Sequence, residues 1–213
     1  MTPANVIAEV RRLISDVDLP NRYSDTDLLG YINQIIKRMV ILRPDLFATV
    51  GDISTVANSI VQTLPSDSYR LIEIYQVKNG NAITEVNREV LDQTYPAWVS
   101  DPAGVPYNFM RHVRNPNKYF LYPKPVANIT LIGEYAKIPS DYAIGDTIDL
   151  PEAYFPSLVD GTVFLAESID DEHVNSGRAK LFMDMFVESL GTGLQGRPLT
   201  DTEESGMSKG QVV

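Results

Sequence analysis

The sequence predicts an α+β fold: a helical bundle formed by N- and C-terminal helix pairs, with an inserted, mainly antiparallel β-lobe. Three observations carry this expectation. Near both ends of the 213-residue chain, apolar residues recur at three- and four-residue steps, the spacing of one helix face. Between them the period changes, and Val, Ile, Thr, Tyr and Phe gather in short runs bounded by Gly, Pro and Asn, as strands do. Strands inserted between two helix pairs are accommodated most simply when the pairs come together and the strands project as a lobe. The expected boundaries are 1–50 and 151–192 for the discontinuous bundle, 51–150 for the β-rich lobe and 193–213 for a flexible C-terminal tail.

The elements follow in chain order. Thr2 and Pro3 read as an N-cap and first helical position, and Val6, Val10, Leu13, Ile14 and Val17 then mark a helix of about four turns. After Pro20, Ser24 and Asp27 have capping-box spacing, and Leu28, Ile32, Ile35, Ile36 and Met39 form the stripe of a second helix. Lys37, Arg38 and Arg43 lie towards the negative end of its dipole, and Pro44 stops it. The first two helices are expected to pack antiparallel.

Strands are expected at 53–63, 69–77, 107–114, 118–122 and 128–135, with Asn79-Gly80 and Asn115-Pro116-Asn117 as hairpin connections. A short amphipathic helix fits 85–93. Leu64-Pro65 reads as a turn into the second strand, while Pro123 and Pro125 mark the end of an exposed one. Pro151 favours a helix starting just beyond it. Leu158, Val159, Thr162, Val163, Leu165 and Ala166 then mark one helix, and Ala179, Phe182, Met183, Phe186 and Leu190 another. Beyond Gly191 apolar periodicity ends, so the tail is expected to order on a partner.

Composition narrows the chemistry. With 44% hydrophobic residues the chain can bury a real core, whereas 18 Lys and Arg against 28 Asp and Glu give a net charge of -10. Its mean field repels phosphate backbones, which disfavours tight DNA wrapping. The absence of cysteine removes disulfides, thiolate metal sites and cysteine nucleophiles together. The two histidines, His112 and His173, have no metal-ligand spacing. His112 reads as a surface or interface residue and His173 as the start of the last helix. Asp170-Asp171-Glu172 lacks the glycine bend of an EF-hand loop and reads as a polar turn. No nucleophile elbow, Walker loop or dinucleotide fingerprint occurs. Neither a cofactor nor a metal is expected, nor a membrane span.

One aromatic group stands out: Tyr107, Phe109, Tyr119, Phe120 and Tyr122, with Arg111 and Arg114 nearby. Alternation puts Tyr107 and Phe109 on one strand face. The group suits a core, a protein interface or a stacking platform for sugars or oligonucleotides.

The order of YSDTDLLGYINQIIKRMVILRPDLF, LPSDSYRLIEIYQV, DPAGVPYNFMRHV with YFLYPKP, LPEAYFPSLVDGTVFLAESIDDEH and RAKLFMDMFVESLG resembles the head-to-tail adaptor (connector) proteins of tailed bacteriophages. That group includes tail tubular protein A of short-tailed phages. The resemblance implies a non-enzymatic subunit of a dodecameric ring between the portal protein and downstream tail or nozzle proteins. DNA would pass through the channel without sequence-specific binding, past an acidic lumen that discourages sticking. It also implies a virion protein of the head-to-tail junction, made in the host cytoplasm. The tail, through Arg197, Pro198, Leu199, Met207, Val212 and Val213, is the expected portal attachment. Two other readings are another phage neck or tail-completion protein, and a glycan-binding or hydrolytic virion component using the aromatic strands with Glu134 and Asp141.

Overall fold

The computed structural model describes residues 1–18, 22–168 and 176–191. The helices are α1 (Pro3–Ile14), α2 (Asp25–Leu42), α3 (Arg88–Thr94), α4 (Phe155–Glu167) and α5 (Ser176–Ser189). The strands are β1 (Ala48–Ser54), β2 (Val61–Thr63), β3 (Ser68–Val77), β4 (Thr84–Glu85), β5 (Asn108–Arg111), β6 (Lys118–Tyr122) and β7 (Thr130–Lys137). The fold is α+β. The chain divides into two compact units, Met1–Ile32 with Ala143–Val213, and Asn33–Tyr142.

In the first unit, local chemistry sets the helix ends. Thr2 Oγ1 accepts from the Asn5 N–H at 3.4 Å, ahead of Pro3. Helix α1 stops at Ile14 because Ser15 takes a left-handed backbone, φ 57, so Val17 lies past the helix and is 63% exposed. Four turns were too many for that reason. The Arg11 guanidinium ties this end to the start of α2, donating to Asp16 at 2.6 Å, Asp25 at 2.7 Å and the Tyr23 carbonyl at 2.8 Å. Ser24 and Asp27 form the predicted capping box: the Asp27 carboxylate accepts from the Ser24 N–H, and the Ser24 hydroxyl from the Asp27 N–H, both at 3.1 Å. The hydroxyl also donates to that carboxylate, which holds Asp27 below the usual carboxylate range.

Helix α1 lies closest to α4, and α4 to α5. The short link to α2 suggested an antiparallel α1/α2 pair, but an apolar stripe does not name its partner. Pro151 precedes a short 3₁₀ turn (Glu152–Tyr154) from which α4 runs. Residues 157–163 of α4 are all buried. The Tyr23 hydroxyl donates to the Ala166 carbonyl at 2.6 Å, and Arg178 of α5 donates to the Leu13 carbonyl.

The second unit begins within α2, whose Ile35, Ile36 and Met39 are at most 2% exposed; burial on that scale stabilises by about 1.5–3 kcal/mol per side chain. Asn33 exchanges hydrogen bonds with the Tyr142 backbone at 2.9 and 3.1 Å. Two sheets follow, with strand orders β1-β7-β3 and β2-β6-β5-β4. All pairings are antiparallel except β4 with β5. Ile53, Ile74, Leu131 and Tyr135 of the first sheet share a core with Phe109, Tyr119 and Leu121 of the second.

Where the sequence suggested one strand over 53–63, the chain makes two, β1 and β2, which belong to different sheets. Thr55 ends the first, its N–H and hydroxyl both donating to the Ile129 carbonyl at 2.9 Å, and Asn58 turns the chain at φ 58. Strand β6 is not the exposed strand its prolines suggested. It lies between β2 and β5, and Tyr119 to Tyr122 are all buried. Pro123 falls one residue past its end, so no ladder donor is lost there.

Candidate functional site

The aromatic strands become two layers of core and one surface residue. Because β5 and β6 are covered on both faces, alternate side chains enter different cores. Phe109 and Tyr119 join the core between the sheets, at 1% and 0% exposure. Phe120 and Tyr122 pack on the opposite face with Met110 and Trp98. Tyr107 precedes β5 and is half exposed. Burial therefore leaves Tyr107 as the one member of the predicted group on the surface of this unit.

Around Tyr107 the polar groups are tightly engaged. The Tyr95 and Tyr122 hydroxyls each donate to one oxygen of Asp101, both at 2.7 Å. These bonds, the Tyr122 one foremost, hold the Asp101 carboxyl below its ordinary range. In return Asp101, aided by Tyr107, pushes the Tyr122 phenol well above its ordinary value. The Trp98 indole donates to Asp92 at 2.7 Å. The rings of Trp98 and Tyr107 meet that of Tyr122 edge to face at 5.9 and 5.4 Å.

Arg111 is wholly committed. Its guanidinium grips the Glu85 carboxylate at 2.6 and 3.0 Å and donates to the Leu71 carbonyl at 2.9 Å and to that of Ile72. It joins β5 to β4 and to the edge of β3, and is not a free cation for a ligand. His112 stacks on Phe120 at 5.3 Å, and its Nδ1 accepts from the Asn115 N–H at 3.1 Å. Arg88 lies over the same Phe120 ring, 4.8 Å from its centroid. Arg114 and Lys118 form no ion pair among the described residues.

The carboxylates of the hydrolytic reading are engaged separately. Glu134, on β7, accepts from the Tyr75 hydroxyl at 2.8 Å, which with burial and the Glu73 charge takes that phenol up to about 12. Asp141 pairs with Lys37 at 2.5 Å. A glycosidase needs two carboxyls facing across one sugar, and these two have separate partners. Among the described residues, no group of three His, Asp or Glu is placed to hold a metal. No described helix is long and apolar enough to cross a membrane. His173, Asp170, Asp171, Glu172, Arg197, Pro198, Leu199, Met207, Val212 and Val213 lie outside the described residues.

Sequence reasoning passed over two surface features. One is Val113, 97% exposed at the tip of the β5–β6 hairpin; its place between Arg111 and Arg114, beyond the last aromatic, was the available signal. The other is the outer face of the three-stranded sheet. There Val50 stands opposite Glu134, and Glu134 opposite Glu73, a juxtaposition that local pattern does not reveal.

No curated protein matches the chain. A family model described as SU10 adaptor protein matches residues 1–208. That match spans both compact units, and with it the chain belongs to the SU10 adaptor protein family, a family of phage adaptor-type structural proteins.

Proposed function

We propose that this chain is a ring-forming head-to-tail adaptor of the tail tubular protein A type. In this reading a closed, dodecameric ring of copies sits between the portal and the downstream tail or nozzle proteins of the virion, and DNA passes through its centre. The observation that carries the proposal is the family match over residues 1–208. The side-chain chemistry agrees with it: the Asp101 carboxylate and the Arg111 guanidinium have their hydrogen-bonding atoms engaged within the fold. Helices of 1–50 and 151–192 would serve as the bundle and 51–150 as its lobe. The tail from residue 193 onward, through Arg197, Pro198, Leu199, Met207, Val212 and Val213, would dock on the portal, where a segment ordering on contact can cover a large surface.

Electron microscopy of the purified full chain, with and without its portal, tests the reading. A closed ring seated on the portal is the expected result. A ring that binds tail components but never the portal would move the protein to another neck or tail-completion position. Failure to form any ring in either condition would overturn the proposal.

A further inference from the structure

A ring built from identical subunits needs two different, complementary patches on each copy, because head-to-tail contacts pair unlike surfaces. The unit Asn33–Tyr142 carries such a pair. The first is the tip of the β5–β6 hairpin. Its turn is fixed: the Asn115 N–H donates to His112 and the Lys118 N–H to the Asn115 carbonyl at 3.0 Å. The far side of the turn is anchored by the Leu64 and Leu71 N–H groups, which donate to the Asn117 and Pro116 carbonyls at 2.9 and 3.0 Å. On this rigid turn Val113 is 97% exposed, next to Arg114, which has no ion pair among the described residues. Single exposed valines are common. One presented on a fixed turn beside an unpaired cation has the makeup of an interface knob.

The second patch is the outer face of the sheet β1-β7-β3. Val50, Glu134 and Glu73 form one row across its three strands. Val50 is 58% exposed and Tyr75 37%, giving apolar surface beside two carboxylates. Like charges directly opposite each other in a sheet repel. Neither forms an ion pair among the described residues; Glu134 has only the neutral Tyr75 hydroxyl. A guanidinium from outside the chain would relieve that repulsion, and the apolar neighbours would receive a branched aliphatic side chain.

We propose that the β5–β6 hairpin tip of one copy docks on the outer face of the β1-β7-β3 sheet of the next, with Arg114 between Glu73 and Glu134 and Val113 against Val50 and Tyr75. The inference rests on the ring reading above and names the surfaces that close the ring. Charge complementarity selects a second copy as the occupant, since both halves are present on every subunit.

Charge reversal tests it in the full chain with its portal. Arg114→Glu and Glu73→Arg are surface changes, and circular dichroism of each variant is the check that it folds. Each alone is expected to weaken subunit association by about tenfold or more, as close interfacial charge pairs do, and the two combined to restore much of it. Val113→Asp is expected to fail as Arg114→Glu does. If the wild-type chain forms rings and all three single variants form them equally well, the hairpin contact is wrong while the ring reading stands. If the single variants fail and the double variant is no better than either, the specific pairing is wrong. Absence of rings in the wild type overturns both.

Discussion

Arg111 shows how one side chain can settle a fold. Its fork links β5 to Glu85 on β4 and to two carbonyls on β3, so strands from both sheets meet on one guanidinium. Removing it would leave Glu85 half-buried without its cation and those carbonyls without donors. Arg111→Ala is therefore expected to destabilise by about 2–3 kcal/mol, visible as a lower urea midpoint with an unchanged m-value. Asp101 offers a second test at this scale. Its carboxyl is held low by Tyr122 and then Tyr95. A depressed carboxylate contributes stability that is fully present above its unfolded pKa and is lost as pH falls through the folded value. Tyr122→Phe should raise the Asp101 pKa towards the ordinary carboxylate range and shrink the acid-side loss of stability. Carboxyl NMR titration of wild type and variant would read that shift directly, and an unmoved Asp101 would show that the hydroxyl is not its main restraint.

Among the elements, β7 organises the first sheet, pairing with β1 on one side and β3 on the other. Its Gly133 is where the neighbours come closest. A Cβ there would stand 2.7 Å from the Glu73 carbonyl and 2.9 Å from Ile53 Cδ1. Backbone on one side and a fully buried isoleucine on the other leave little room to yield, so Gly133→Ala is expected to cost about 1–3 kcal/mol, measured by chemical denaturation. Strand β3 is a protected edge: its register against β7 shifts three times, and Arg111 covers two of its carbonyls. Bulges and covered carbonyls discourage unwanted strand pairing. That protection fits the outer sheet face meeting a partner through side chains and not by adding a strand at β3.

For the whole molecule, the acidic balance and the proposed tail docking make separable predictions. Truncation after Gly193 is expected to leave the ring intact and abolish its capture by the portal, as read by co-sedimentation; undiminished capture would take that role from the tail. In the proposed ring, a net charge of -10 per subunit favours an acidic channel wall, since a basic one would hold DNA through counterion release. Reversing lumen carboxylates to lysine should slow DNA ejection in a fluorescence release assay, and unchanged ejection would count against an acidic wall.

The sequence by itself determined features whose causes are local. Thr2-Pro3 and the Ser24 and Asp27 box act within one helical turn. The buried stripe of α2 and the start of α4 follow from periodicity and from residues a few positions away, whereas α3 begins at Arg88 and not at residue 85, because Glu85 is drawn into β4 and Asn87 caps the helix. Only the tertiary structure decided how the chain splits 53–63 between two sheets, that β6 is central, that Phe109, Tyr119, Phe120 and Tyr122 are interior, and that α1 lies against α4. It alone placed Glu73 beside Glu134 and matched Arg111 to Glu85. Pairing and register depend on groups tens of residues apart, and the same alternating pattern suits an edge strand or a central one. Local preference fixes what an element is; which faces stay open is fixed by what the rest of the chain packs against it.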